Sequence, residues 1–145
     1  MRDPFQALEA EFNRQAGGHI GHATSMSYEG ESGKRWKSFV YNGIINWTNT
    51  NIYWIDNFPN PTTKHVIFYE NLVNDTEHEL KKILRFLDVD VTESQMNCTM
   101  LHKEGLYHRS KEKVIHLELF DNDMRRIINE NKERVYKILN AEAIV

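Results

Sequence analysis

One short apolar run constrains the fold of this chain more than any other feature. His65-Val66-Ile67-Phe68-Tyr69 lies between turn signals, and its unbroken apolarity is typical of a strand buried in a parallel sheet. The rest of the sequence contains no comparable run, and a lone strand would leave its backbone N–H and C=O groups without partners. The sequence therefore predicts that the chain is one part of a larger α/β domain.

The remaining periodicity is helical. Asp3 and Pro4 predict a helix start, because an aspartate caps free amides and a proline tolerates the first helical position. An apolar stripe continues from there to about residue 14. Further helices are predicted from Lys34 to the prolines at 59 and 61, from Thr76 behind a capping box, briefly after Thr92, and from near Asp121 to about Asn140. Repeated glycines between residues 15 and 33 predict a long mobile loop that buries little.

Two apolar stripes indicate which helix faces are buried. The stripe of the second helix is largely aromatic and is interpreted as a core face, with a substrate platform as the alternative. It comprises Trp36, Phe39, Val40, Ile44, Trp47 and Trp54. In the helix after Thr76, we expect one face to pack beside the predicted strand. That face comprises Leu80, Ile83, Leu84 and Leu87.

Charge and composition exclude several classes of function. The formal net charge is −3, so no global field attracts polyanions, and nucleic acid is not expected as a partner. No apolar run approaches the roughly 20 residues of a membrane span, and we expect no targeting signal in this chain. Cys98 is the only cysteine, which excludes an intrachain disulfide and a thiolate zinc site. It is interpreted as a buried hydrophobe or an idle thiol, with a bridge to a cysteine outside this chain as the alternative.

Three segments contain side chains suited to a phosphate or to a flat ring. Arg2 precedes the first helix start, where free N–H groups favour an anion and a guanidinium adds a bidentate donor. The loop of residues 102–113 is basic, and its Arg109 and Lys111 would close over a phosphate. Tyr69 ends the predicted strand, at the edge where ligands of parallel sheets gather. The plainer alternatives are a solvated arginine, a solvated charge run and a core tyrosine.

The order of these segments resembles the sulfotransferases that use 3′-phosphoadenosine 5′-phosphosulfate (PAPS). Arg2-Asp3-Pro4 before an amphipathic helix is similar to their 3′-phosphate-binding segment. Residues 66–72 followed by residues 79–87 are similar to a strand and helix pair of that family. Residues 2–14, 36–54 and 105–109 look most similar to the WSC-domain-containing sulfotransferase-like proteins. The resemblance covers nearly the whole chain.

The resemblance implies a fold, a cofactor and a set of ligands. Residues 1–145 would be the C-terminal part of a three-layer, P-loop-like α/β sulfotransferase domain with a parallel sheet, without the phosphosulfate-binding loop and the first strands. This part would be mostly helical. Arg2 would bind the 3′-phosphate of PAPS, Tyr69 would lie near the adenine, and Arg109 with Lys111 would close the cofactor site. No metal is implied.

Two departures from the family pattern bear on activity. Many sulfotransferases have a serine as a second 3′-phosphate ligand in the first helix, where this chain has Ala10. The chain also lacks a Gly-x-x-x-x-Gly-Lys pattern for the 5′ end of the cofactor. The catalytic residues are therefore unassigned, and Glu11, His19 and His22 are candidates for the general base by chemistry alone.

The activity implied by the resemblance is transfer of a sulfuryl group from PAPS to a hydroxyl or amine of a glycan or protein. The alternative is a non-catalytic, sulfotransferase-like module that binds a glycan or protein partner. Ala10 and the missing glycine-rich loop favour the module, whereas Arg2 and Arg109 favour the enzyme. This chain alone is expected to be inactive. The resemblance implies the Golgi lumen or membrane for the parent protein, and three N-glycosylation sequons are weak support for a secretory glycoprotein. They are at Asn46, Asn74 and Asn97.

Overall fold

A computed structural model describes residues 1–19, 21–60, 62–104 and 119–142. Its helices are α1 (Pro4–Gly17), a short 3-10 helix (Ser25–Tyr28), α2 (Gly30–Asn57), α3 (Tyr69–Asn74), α4 (Thr76–Phe86), α5 (Glu93–Leu101) and α6 (Asn122–Glu142). The described residues form two compact units. The small unit lies within Met1–Asp3 and Phe58–His108, and the large unit lies within Pro4–Asn57 and Arg109–Val145.

The core of the large unit forms around one face of α2. Trp36, Val40 and Ile44 recur at helical spacing on this face and are at most 2% exposed. The other buried members of the cluster come from α1, α6 and the segment before α2. They are Leu8, Phe12, Ala23, Met124 and Ile128. The interpretation of the aromatic stripe as a core face is therefore confirmed for its first half, but Trp54 is 56% exposed and lies outside the core.

Trp36 lies at the centre of an aromatic cluster. Its ring centroid is 4.8 Å from that of Phe12, 5.3 Å from that of Phe120 and 5.9 Å from that of Phe39. The indole Nε1 donates a hydrogen bond to the Leu119 carbonyl oxygen at 2.6 Å. This bond satisfies the one polar atom of a side chain that is otherwise surrounded by apolar groups.

Polar contacts attach α6 to α2. The buried Thr48 hydroxyl of α2 donates to Asn131 Oδ1 of α6 at 3.0 Å. At the start of α6, Asp121 Oδ1 accepts the Met124 backbone N–H at 2.8 Å, which confirms the predicted helix start. This bond, and then the ion pair with Lys37 at 3.0 Å, lowers the pKa of the Asp121 carboxyl.

The segment between α1 and α2 differs from the predicted long loop. α1 continues to Gly17, the 3-10 helix follows, and α2 already begins at Gly30. Ala23 is only 5% exposed. The physical reason is Asn13, a buried residue of α1 whose Oδ1 accepts the Ala23 backbone N–H at 2.8 Å. The prediction of one long loop was wrong, because the glycine pattern contains no sign of that bond or of the helices that shorten the loop. Ala23 is nevertheless the one buried residue among the described residues of this segment, as expected for a segment that buries little.

The small unit contains α3, α4 and α5, and side chains cap the last two. Asp75 Oδ1 accepts the His78 backbone N–H at 3.1 Å, so the cap of α4 is one residue earlier than the predicted Thr76. The Thr76 hydroxyl instead donates to a backbone carbonyl of α3. At α5, Thr92 and Gln95 form a capping box, which confirms the predicted short helix.

The predicted strand is not confirmed. Residues 64–68 have no assigned secondary structure, although Phe68 has an extended backbone, and Tyr69 begins α3. The Met1 amino group donates to the Ile67 carbonyl, and the Tyr69 N–H donates to the Met1 carbonyl at 2.7 Å. Two bonds placed on either side of one residue are the pattern of a parallel bridge. A single bridge is not a sheet, so the parallel sheet stays a prediction.

The small unit buries little apolar surface. In the part of this unit that the structure describes, Met96 is the one buried hydrophobic residue, at 7% exposure. The predicted apolar face of α4 is half-buried except for Leu87, which is 58% exposed. Cys98 is exposed and free, so of its two plain interpretations the buried hydrophobe was wrong and the idle thiol remains.

Candidate functional site

Arg2 and Tyr69 form the contact around which the candidate site is built. The Arg2 Cζ atom lies 4.3 Å from the centroid of the Tyr69 ring, which is the geometry of a cation–π interaction. Arg2 is half-buried, and Tyr69 is 41% exposed. Both belong to the small unit although they are far apart in sequence. The structure therefore brings together two of the four residues that the resemblance assigns to the cofactor.

Hydrogen bonds on both sides of Arg2 hold it beside Tyr69. Before it, the Met1 backbone is bonded to Ile67 and Tyr69. After it, the Asp3 backbone N–H donates to Glu70 Oε1 at 2.9 Å. Because its two neighbours are fixed, Arg2 has less conformational freedom to lose when it binds a ligand.

The arrangement suits an oxyanion in the plane of the guanidinium. The guanidinium is planar, its N–H donors lie in that plane, and its central Cζ atom lies over the Tyr69 ring. A planar set of donors matches two oxygens of a phosphate. The donor chemistry of Arg2, placed beside Tyr69, therefore fits the phosphate end of a nucleotide.

Two predicted site residues lie outside the described residues. Arg109 and Lys111 belong to residues 105–118, which the structure does not describe. The convergence of Arg2 and Arg109 on one pocket therefore stays a prediction.

The candidates for the general base differ in their surroundings. Glu11 is held by Arg14, whose Nε and Nη2 donate to its two oxygens at 2.7 and 2.6 Å. These bonds lower the pKa of Glu11 to about 2. A carboxylate with that pKa is a poor proton acceptor near neutral pH, so Glu11 does not suit the role. His19 is exposed and His22 is half-buried, and the structure does not single out either.

Sequence reasoning missed the role of Glu70. Its carboxylate anchors the segment that presents Arg2, through the bond to the Asp3 N–H. The available signal was its position directly after the predicted strand, where polar side chains gather in parallel sheets. Ala10, the position of the expected second phosphate ligand, is a half-buried residue of α1.

Comparison with known proteins identifies the class. The sequence profile of the sulfotransferase domain matches residues 22–137, which is most of the chain. The chain therefore belongs to the sulfotransferase domain family, and the resemblance drawn from the sequence is confirmed. A domain of this family implies a P-loop-like α/β fold.

Within that class, the chain is similar to WSCD family members of insects. It is 40% identical to one from Drosophila pseudoobscura pseudoobscura over 139 residues, which cover 96% of this chain and 43% of the relative. It is 38% identical to one from Drosophila melanogaster over 142 residues, which cover 98% of this chain and 44% of that relative. It is 37% identical to one from Aedes aegypti over 139 residues, which cover 96% of this chain and 43% of that relative. The chain thus spans less than half the length of these relatives. No solved structure matches the chain.

The part of the chain that the structure describes has neither a membrane-spanning helix nor a metal-binding cluster. None of the helices there combines the length and apolarity that a membrane crossing requires. Nor do three or more His, Cys, Asp or Glu side chains of that part gather where they would hold a metal ion.

Proposed function

We propose that the protein is a PAPS-dependent sulfotransferase that acts on a hydroxyl or amine of a glycan or protein in the Golgi. Membership of the sulfotransferase domain family supports the transferase class. The observation that carries the choice of donor is the Arg2–Tyr69 contact, since it combines a planar cation with an aromatic ring. A nucleotide with a 3′-phosphate presents the two complementary groups, an oxyanion and a flat base.

Each residue of the proposed site has a distinct role. Arg2 binds the 3′-phosphate through its in-plane donors. Tyr69 holds the guanidinium through the cation–π contact and lies near the adenine. By the resemblance, Arg109 and Lys111 would add positive charge for the phosphates of the same cofactor. Bound PAPS supplies the activated sulfuryl group, and the chain contributes by holding the donor in one orientation toward the acceptor.

Calorimetry with adenosine 3′,5′-bisphosphate tests the binding half of this proposal. A charge-assisted hydrogen bond contributes roughly 1.5–3 kcal/mol, so we expect Arg2→Ala to weaken binding by about tenfold to a hundredfold. Adenosine 5′-monophosphate lacks the 3′-phosphate and should bind the wild type and Arg2→Ala equally. Arg126→Ala is the matched control, because Arg126 is an exposed arginine of α6 paired with Glu130.

If Arg2→Ala lost the same factor in affinity for both nucleotides, the assignment of Arg2 to the 3′-phosphate would be contradicted. Tyr69→Phe should bind the bisphosphate like the wild type, whereas Tyr69→Ala should weaken it, because only the alanine removes the ring beneath the guanidinium.

Radiolabelled PAPS and a mixture of glycan and protein acceptors test the catalytic half. We expect no measurable transfer by the 145-residue chain, since its sequence contains no Gly-x-x-x-x-Gly-Lys pattern for the leaving phosphate. Loss of even one preorganised donor to developing charge costs about 10²–10³ in rate. Robust turnover by the purified chain would contradict this expectation.

A further inference from the structure

The three Asn-x-Thr sequons differ in the backbone that carries them. Asn46 lies in the middle of α2 and Asn97 lies within α5, whereas Asn74 is the last residue of α3, directly before the break that separates α3 from α4. All three asparagines are exposed, so exposure alone does not distinguish them. A glycosylating enzyme recognises the asparagine amide together with the hydroxyl two residues later. The conformation of the whole triplet is therefore the deciding feature.

Helical backbone separates the two groups in the sequons of Asn46 and Asn97. Residues two positions apart on a helix do not face each other, so the amide and the hydroxyl point to different sides. In α2, Thr48 is 2% exposed and its hydroxyl donates to a side chain of α6 at 3.0 Å. In α5, the Thr99 hydroxyl donates at 3.0 Å to the backbone carbonyl one turn before it. Neither hydroxyl is presented beside its asparagine in the folded chain.

The backbone of the third sequon is not a continuous helix. Asp75, its middle residue, has φ −140° and ψ 74°, outside the helical region, and is the N-cap of α4. A non-helical middle residue removes the helical separation of the two groups. The Thr76 hydroxyl donates to the Leu72 carbonyl at 2.8 Å, so this one side-chain bond must open before the hydroxyl can turn toward Asn74.

Local opening is easier at α3 than at α2. α3 has six residues, none of them buried, and a helix that short gains little stability from its own backbone. Few apolar contacts therefore resist its opening. α2, by contrast, has 28 residues and contributes Trp36, Val40 and Ile44 to the core of the large unit.

We infer that Asn74 is the N-glycosylation site of this chain and that the other two sequons stay unmodified. In the transfer, the side-chain nitrogen of Asn74 forms a bond to C1 of an oligosaccharide that is carried on a lipid diphosphate. The bond from C1 to the diphosphate oxygen breaks, the lipid diphosphate leaves, and the amide nitrogen loses one proton to a base of the transferase. The exposed position at the end of α3 accommodates the bulky product. The inference rests on the proposed function only for the secretory compartment.

Expression of the chain in mammalian cells behind a cleaved secretion leader tests this inference. The wild type should show a single shift in electrophoretic mobility that peptide-N-glycosidase removes. Asn74→Gln should abolish the shift, whereas the matched controls Asn46→Gln and Asn97→Gln should keep it. Thr76→Ala should also abolish the shift and Thr76→Ser should retain it, because serine keeps the hydroxyl.

A second measurement does not depend on how the variants fold. Enzymatic release of the glycan in heavy-oxygen water converts each modified asparagine of the wild type into a labelled aspartate, which mass spectrometry locates. The label should appear at Asn74 alone. An unmodified wild type, or a label at Asn46 or Asn97, overturns the inference. Because the leader supplies the compartment, these outcomes are independent of the nucleotide: failure of the bisphosphate to bind Arg2 would contradict the proposed cofactor and leave the glycosylation site unaffected.

Discussion

At the residue scale, Trp36 combines an apolar and a polar contribution that a sequence pattern does not separate. Its ring packs among aromatic side chains, and its Nε1 satisfies the Leu119 carbonyl. Trp36→Phe deletes part of the ring and leaves that carbonyl without this donor. Loss of buried volume and of a hydrogen bond together should lower the free energy of unfolding by about 2–4 kcal/mol. Chemical denaturation followed by far-ultraviolet circular dichroism measures this change.

Trp54→Phe is the matched control for that substitution. Trp54 is 56% exposed, so the same chemical change should alter the free energy of unfolding by less than about 0.5 kcal/mol. Comparable losses in the two variants would contradict the position of Trp36 at the centre of the core.

At the scale of elements, the approach of α1 to α2 depends on Gly43. A Cβ atom placed there would lie 2.5 Å from Leu8 Cδ2, and Leu8 is 4% exposed. In Gly43→Ala the overpacking cost of about 1–3 kcal/mol should exceed the gain in helix propensity of about 1 kcal/mol. We therefore expect a net loss of stability in urea denaturation. In a Leu8→Ala background the obstructing methyl is gone, so Gly43→Ala should become stabilising, and an unchanged sign would contradict the close contact.

Helix positions could be predicted from the sequence because their signals are local. Caps and apolar stripes predict α1, α2, α4, α5 and α6, and the observed helices agree to within a few residues. The segment at residues 64–68 could not be predicted in the same way, because its pairing partner is the Met1 backbone, remote in sequence. Likewise, Asn13 orders the segment before α2 through a bond to Ala23 that no periodicity reveals.

The candidate site was predicted only in part, because one of the bonds that support it joins residues remote in sequence. The resemblance assigns Arg2 and Tyr69 to one ligand, and the structure places them in contact. The support from Glu70 depends on a bond between its side chain and the Asp3 backbone N–H, which a sequence does not display.

At the scale of the whole molecule, the two units differ in how much apolar surface they bury. In the described part of the small unit only Met96 is a buried hydrophobic residue, whereas the large unit has a core cluster. Local opening costs least where few apolar contacts are broken. We therefore expect hydrogen exchange to be faster for the backbone amides of α4 and α5 than for those of α2 and α6.

Addition of adenosine 3′,5′-bisphosphate extends this comparison to the proposed function. A ligand that binds only the folded form stabilises it by about 2.7 kcal/mol at a hundredfold excess over its Kd. Because Arg2 and Tyr69 both belong to the small unit, protection should rise most around α3 and the neighbouring α4. Adenosine 5′-monophosphate at equal concentration should have a smaller effect, and Arg2→Ala should remove the difference between the nucleotides. Equal protection of all helices without ligand would contradict the first expectation, and a bisphosphate effect confined to α6 would contradict the second.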